Sequence, residues 1–335
     1  MKTPFLLSGL ALALALVTPA RAAVYFAAHQ DDIVLLMGRN AQLDIKGDRP
    51  TVLVVLTAGD GGNGNAAVNL AGLGAHYYNQ IGNPYFRVRH NAHEAAIATW
   101  LPAAYSRIPQ RSTEYFGAGI TAVEKVRMGN VVIYNLNLPD GELDRLEKVA
   151  PAPLDDITGT NHYLPESSRD TLRQIVARHA RESAGPTVHV PEHSPGFSVP
   201  SYNDLGQVAR ISDHRDHTAA GRLVRDGLAA DGTLNCLRRV VYMGYAIAAL
   251  PDAMSAAERL SQAKAYHALN AVLKNQVNMS FDAARQNLHL GSMDNFHTSF
   301  FGKQNTREEV NAACRPALPV QTEASRHARI KYQFF

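Results

Sequence analysis

Hydrophobic residues in this chain fall into two kinds of pattern. Short continuous runs occupy Val24–Ala28, Thr51–Thr57, Val131–Leu136, Thr187–Val190 and Arg239–Ala246. Continuous rather than alternating apolar character predicts strands covered on both faces, as in a parallel sheet. Helical spacing lies between them, over Asn91–Leu101, Ser168–Glu182, Ala219–Leu228 and Ser255–Val272. In the second of these, Leu172, Ile175, Val176 and His179 share one face. Two segments, Ala58–Asn65 and Pro191–Asp213, are rich in Gly, Asn, Pro or Ser and read as loops. Strands alternating with helices predict an α/β fold. The expected form is a Rossmann-like three-layer sandwich with a mainly parallel sheet and a single catalytic domain. Beyond Val272 the pattern is weak and polar, with no internal repeat.

The N-terminus changes this picture first. Lys2, the apolar stretch Phe5–Val17 and the A-x-A pattern Ala20-Arg21-Ala22 match a secretory leader. The stretch is too short for a permanent membrane anchor. Residues 1–22 are therefore expected to be a cleaved signal peptide. Residues 23–250 are expected to form the catalytic domain, and 251–335 a helical or irregular extension packed on it. The product is expected to be exported, periplasmic or secreted, with no permanent membrane span.

Charge narrows the partners. Of 33 Lys and Arg, Lys2 and Arg21 fall in the leader, and the rest nearly cancel the 30 Asp and Glu. No basic block stands out, so nucleic-acid binding has little electrostatic support. The two cysteines, Cys236 and Cys314, are far apart and form no CxxC, which argues against a structural zinc cluster. In an exported protein they are able to pair.

Candidate chemistry sits at two strand ends. Ala28-His29-Gln30-Asp31-Asp32 directly follows the first apolar run. Reactive groups in open α/β sheets collect beyond the carboxyl ends of strands. A second cluster, Asp213-His214-Arg215-Asp216-His217, follows the long loop after the fourth strand. His29, Asp32 and one of the two histidines make a His₂-carboxylate set, enough for Zn²⁺ with a fourth position open. An oxygen-only ion such as Ca²⁺ would not need imidazoles. Asp31 is then available as a base, the second histidine as a hydrogen-bond donor to an oxyanion, and Asp216 as support for an imidazole. Blander readings exist for each part. A lone strand-end histidine is usually structural, adjacent aspartates suit a helix N-cap, and histidines three apart can share a solvated helix face. The two clusters together favour a metal centre. Gly59-x-Gly61-x-x-Gly64 matches a dinucleotide fingerprint literally. It follows the second strand and lacks an acidic strand end downstream, so it reads as a loop lining the substrate.

These two motifs resemble those of the PIG-L/LmbE-like zinc deacetylases. His29-Gln30-Asp31-Asp32 is similar to the family's A-H-P-D-D motif, and His214-Arg215-Asp216-His217 to its H-x-D-H motif. The resemblance spans roughly residues 24–246. It implies His29, Asp32 and His217 as ligands of Zn²⁺ or another divalent transition metal. It also implies Asp31 as general base, His214 as oxyanion stabiliser and Asp216 as support. The implied substrate is an N-acetylated amino sugar, glycan or glycoconjugate. Gln30 stands where the family has proline, expected to loosen the turn. Ile33 stands where an acidic residue commonly follows, expected to remove a supporting hydrogen bond and alter substrate contact. Arg89, His93 and Glu94 lie near an Arg and Glu of the family at imperfect spacing and receive no role. Trp100 is expected in the core, and one of Tyr242 and Tyr245 at the pocket. The rival readings are a non-catalytic carbohydrate- or metal-binding protein with a degenerate site, and a zinc hydrolase of another amide or ester.

Overall fold

The computed structural model describes residues 21–60, 84–117, 120–147, 152–181, 185–194, 199–202, 208–211, 213–276 and 298–314. Strand β1 (Ala23–Ala27) leads into a short helix α1 (Asp32–Leu35) and then α2 (Gly38–Lys46). Strand β2 (Thr51–Thr57) comes next, and α3 (Tyr85–Ala98) lies beyond it. Strands β3 (Gln110–Phe116), β4 (Thr121–Met128) and β5 (Val131–Leu138) form a meander. A small ladder, β6 (Leu154–Asp155) and β7 (His162–Tyr163), precedes α4 (Pro165–Arg181) and β8 (Thr187–Pro191). A hairpin, β9 (Val199–Tyr202) and β10 (Val208–Ile211), leads to α5 (Arg215–Ala229) and β11 (Arg239–Tyr242). Helix α6 (Ala256–Gln276) and strand β12 (Thr306–Glu309) complete the described chain.

Eight strands form one sheet in the order β12-β11-β8-β1-β2-β5-β4-β3. The five central strands, β11 to β5, run parallel. The outer pairings, β11 with β12 and β5-β4-β3, are antiparallel. From β1 the chain moves through β2 to β5, then returns to place β8 on β1's other side. β1 and β8 therefore flank the topological switch point, where α/β sheets open a crevice at their carboxyl edge.

Side-chain alternation divides the core into two layers. Tyr25 and Ala27 of β1 face α1, α2, α3 and α6, whereas Val24, Phe26 and Ala28 face α4 and α5. Trp100 lies in the first layer, as expected. Gln262 of α6 is buried there and donates to the carbonyls of Val34 (2.9 Å) and Leu35 (3.3 Å), while its Oε1 accepts from the Gly302 amide (2.8 Å). A disulfide joins Cys236 to Cys314, with Cα atoms 5.4 Å apart.

The structure adds elements that the pattern did not predict. β3 and β4 carry Arg, Glu, Lys and Thr, and β3 is mostly exposed. A polar edge strand suppresses pairing with other chains and leaves no apolar run to read. The β9–β10 hairpin lies inside the segment read as loop, and β12 inside the weakly patterned tail. Helix α3 begins at Tyr85 rather than Asn91, because its first turns are held by polar contacts of Arg87 and Arg89. The glycine-rich segment beyond Asp60 and nearly all of the expected leader lie outside the described residues. The Thr187 amide donates to the Ala22 carbonyl (3.1 Å), so sheet bonding reaches one residue upstream of the expected cleavage point.

Two core histidines are held neutral. His189 of β8 stacks on Tyr25 (3.9 Å) and lies 2.7 Å from the Tyr242 hydroxyl. Burial, then Arg49, keeps its pKa well below 6.5. Burial, then His90, pushes His93 down to about 3. Below pH 6.5 the unfolded chain takes up protons that these folded histidines refuse. Their contribution to stability is thus complete above that pH and is lost as pH falls, by up to about tenfold in the unfolding constant per pH unit for each group. Thermal unfolding between pH 7 and 5 is expected to show this acid slope, and His189→Phe a shallower one. An unchanged slope in His189→Phe would contradict the assignment.

Candidate metal centre

The polar groups named from sequence meet at the carboxyl edge of the sheet. His29 leaves β1 and is buried. Its amide donates to Asp32 Oδ2 (2.8 Å), and its Nδ1 lies 3.4 Å from the same oxygen. Asp32 opens α1, whose first-turn amides favour an acidic side chain. On the far side, His217 lies in the first turn of α5 and is fully buried. Its Nε2 is 3.1 Å from Asp32 Oδ1. Among the described residues that Nε2 has no hydrogen-bond partner, so the contact has ion-pair distance without hydrogen-bond geometry. Its Nδ1 bonds Asp213 Oδ1 (2.7 Å), which orients the ring. A carboxylate behind an imidazole fixes the tautomer and presents the opposite nitrogen to a metal. His29, His214 and His217 bring one ring nitrogen each to within 4.8 Å of one another.

Helix α5 starts at Arg215, earlier than the apolar pattern indicated. The reason is local: His214 is its N-cap, and its Nδ1 accepts from the Asp216 amide (3.2 Å). The cap places His214 half-buried at the mouth of the cluster and His217 inside it. Gly244 permits the Asp213 carboxylate to approach; a Cβ there would overlap the carboxylate oxygens.

Asp31 and Asp32 part company. Asp31 is the N-cap residue of α1, yet its side chain makes no capping bond. Arg89 of α3 donates to its Oδ1 from Nη2 (3.1 Å). Arg89 Nε also donates to Gln30 Oε1 (3.3 Å), and Gln30 Nε2 donates to the Thr57 carbonyl (3.0 Å). Gln30 therefore anchors the turn rather than loosening it. Ile33 is fully buried in the core layer under α6.

Asp216 differs in emphasis from its expected role. Its carboxylate accepts from the amides of Gly141 (2.6 Å) and Leu143 (3.1 Å), and stands 3.6 Å from His29 Nε2 and 4.0 Å from His214 Nδ1. It fastens the loop after β5 and faces the histidines from behind that bond. The loop supplies a residue that sequence reading passed over. Asp140 Oδ1 lies 3.0 Å from His29 Nε2, and the Asp140 amide donates to Asp60 (2.9 Å). Its signal was present, an acid just after a buried strand, but Pro139-Asp140-Gly141 reads first as a turn. Tyr245, not Tyr242, belongs to the site: its ring meets His217 edge-on at 4.9 Å, whereas Tyr242 is buried against His189. Glu94 pairs with Arg111 instead (2.8 Å).

Charge in the cluster calls for a cation. Burial opposes protonation of His217, yet Asp32 and Asp213 hold its pKa up at about 9. His29 is raised well above its usual value against burial by Asp32, Asp140 and Asp216. Asp32 and Asp140 are held well below the carboxylate range by these imidazoles, also against burial. Two buried imidazoles thus carry protons that a divalent ion can replace. The groups whose ligand atoms converge, His29 with His214 and His217, and His29 with Asp140, His214 and Asp216, supply imidazole nitrogens and carboxylates of a kind that suits Zn²⁺ or a similar ion.

No family model and no curated protein matches the chain. Solved structures of similar chain path include an N,N'-diacetylchitobiose deacetylase from Pyrococcus horikoshii, at 14% identity over 90% of this chain and 88% of that one, with a TM-score of 0.45. They also include the deacetylase of the antimicrobial A40926 pseudoaglycone (13%, 88% and 99%, TM-score 0.42). A third is a 4-carboxy-2-hydroxymuconate hydratase from Pseudomonas putida KT2440 (10%, 89% and 100%, TM-score 0.40).

Metal uptake below pH 9 is expected to release protons, and affinity to rise with pH up to about 9, because His217 must deprotonate first. Calorimetry in buffers of different ionisation enthalpy reads that release. Asp213→Asn keeps the size of the side chain but weakens the hold on His217. It is expected to lower zinc affinity by about 10–100-fold in a chelator competition.

Proposed function

We propose that this chain is an exported, metal-dependent N-deacetylase of the PIG-L/LmbE-like type, acting on an N-acetylated amino sugar or glycoconjugate. The observation that carries the reading is the meeting of His29, Asp32 and His217 at one buried point, with Asp32 3.4 Å from the first ring and 3.1 Å from the second and another carboxylate, Asp31, next to it in the chain. His29, Asp32 and His217 would hold the ion. When bound, the ion supplies a Lewis acid that polarises a carbonyl and lowers the pKa of water.

The protein's own groups take the remaining parts. Asp31 accepts a proton from the water that attacks the acetamide carbon, and Arg89 fixes its orientation through Oδ1. His214 stays neutral, because burial first, and then His29 and His217, depress its pKa. With Nδ1 accepting from the Asp216 amide, the ring proton sits on Nε2. That N–H donates to the oxygen that becomes anionic as the carbonyl turns tetrahedral. Asp31 then returns its proton to the departing nitrogen. The C–N bond breaks and leaves acetate and a free amine. Asp140 and Asp216 keep His29 and the loop after β5 in register. Export is supported by the Lys2–Ala22 leader pattern and by the Cys236–Cys314 disulfide, a bond typical of oxidising compartments.

An acetate-release assay over N-acetylated mono- and oligosaccharides tests this. Chelation is expected to abolish release and Zn²⁺ to restore it. Asp31→Asn is expected to lower kcat by about 10²–10⁴-fold with metal content retained. A wild-type rate in Asp31→Asn overturns the base assignment. Zinc binding without acetate release from any N-acetyl sugar overturns the deacetylase.

A further inference from the structure

Residues 298–314 touch the supports of the metal cluster from two sides. On one side, the buried Phe300 ring stacks on Tyr245 (5.6 Å), whose own ring meets His217 edge-on. The Tyr245 amide donates to Asp213 Oδ1 (3.2 Å), the oxygen that orients His217. Two residues earlier, the Met243 amide donates to the Asn305 carbonyl (3.1 Å). On the other side, the Gly302 amide donates to Gln262 Oε1 (2.8 Å), and Gln262 holds the carbonyls of Val34 and Leu35 in the helix that Asp32 opens. Gln304 adds a bond to Asn40 of α2 (3.2 Å). One short segment thus backs both Asp32 and His217.

The far end of this segment has little to hold it. β12 is an edge strand of four residues, and Thr306, Arg307 and Glu308 are exposed. Arg307 pairs with Glu192 (2.7 Å) from a side chain that is 43% exposed, where an ion pair contributes little. The Cys236–Cys314 bond closes the end covalently. It joins positions 78 apart, a long loop whose open states it removes. Cys236 lies at the surface, within reach of a dithiol. In that exchange the dithiol is oxidised to a disulfide, and Cys236 and Cys314 take its two electrons and two protons and part as thiols.

We propose that residues 298–314 are a positioning strap for the metal centre, clasped by the Cys236–Cys314 disulfide, so that affinity for the ion depends on the redox state of the two cysteines. The ligands remain when the bond opens. What falls is the fraction of molecules in which Asp213 and α1 hold them in place, and apparent affinity falls with that fraction. This rests on the reading of His29, Asp32 and His217 as metal ligands.

Cys236→Ser combined with Cys314→Ser opens the clasp without a thiol reagent that would itself bind zinc. Chelator competition is expected to show zinc affinity lowered about tenfold. Hydrogen exchange of the metal-free protein is expected to quicken by about tenfold or more at the Met243 and Tyr245 amides and to stay unchanged in β1 and β2. Phe300→Leu, with the disulfide intact, is expected to weaken zinc binding as well. Its loss and that of the serine pair are expected to be less than additive, since both act through Tyr245. Equal zinc affinity with and without the disulfide overturns the strap. So does exchange that quickens equally in β1 and β2, which marks a general loss of stability. A wild-type protein that takes up no zinc, yet exchanges faster at Met243 and Tyr245 alone once the disulfide is gone, sustains the strap as the support of Asp213 and removes the metal reading. No zinc uptake and no local change overturn both.

Discussion

Buried charge has to be balanced where it lies, and at the carboxyl edge of this sheet that requirement organises everything else. Asp32, Asp216, His29 and His217 are all withdrawn from water. A lone carboxylate in such a place would be driven to its neutral form. Here each is answered by a neighbour from a different element: Asp32 by the His29 amide and His217, Asp216 by the amides of the loop after β5. The end of β1, the end of β5 and the start of α5 are thereby tied to one point. Packing against both sheet faces brings these segments close, and electrostatics decides how they meet.

That balance also separates residues that are alike on paper. Asp31 and Asp32 are neighbours, but α1 begins between them and turns one inward and the other toward Arg89. His214 and His217 are separated by less than one helical turn. One spends a nitrogen on the cap, and the other has Asp213 behind it. Side chains of the same kind thus meet different fields, which is the usual way for one fold to assign acid, base and ligand roles.

The central strands were legible because parallel strands are covered on both faces and so read as unbroken apolar runs. The meander was not, since β3 and β4 show polar side chains outward and gain their order from pairing with β5. The clustered histidines and aspartates stand out because their chemistry is unusual at strand ends. Asp140 does not, and Arg89 stands out only as a candidate without a role. An acid in a Pro-Asp-Gly turn and an arginine on a helix are common, and only tertiary packing shows that both point at His29 and Asp31. The anchoring role of Gln30 and the core position of Ile33 are not legible locally, because their partners, Arg89 and the layer under α6, are far away in sequence.

Gln262 gives the folding of this centre a temporal order. Its amide reaches from α6 to the last carbonyls of α1, the short helix that begins with Asp32. Four residues make a helix with no stability of its own. Until α6 has been synthesised and docked, those carbonyls lack this partner. The short helix beside His29 and Asp32 therefore gains this support only when the C-terminal third of the chain is in place. Completion of the cluster is thereby tied to the docking of α6, and the N-terminal half of the chain does not hold this turn in place by itself.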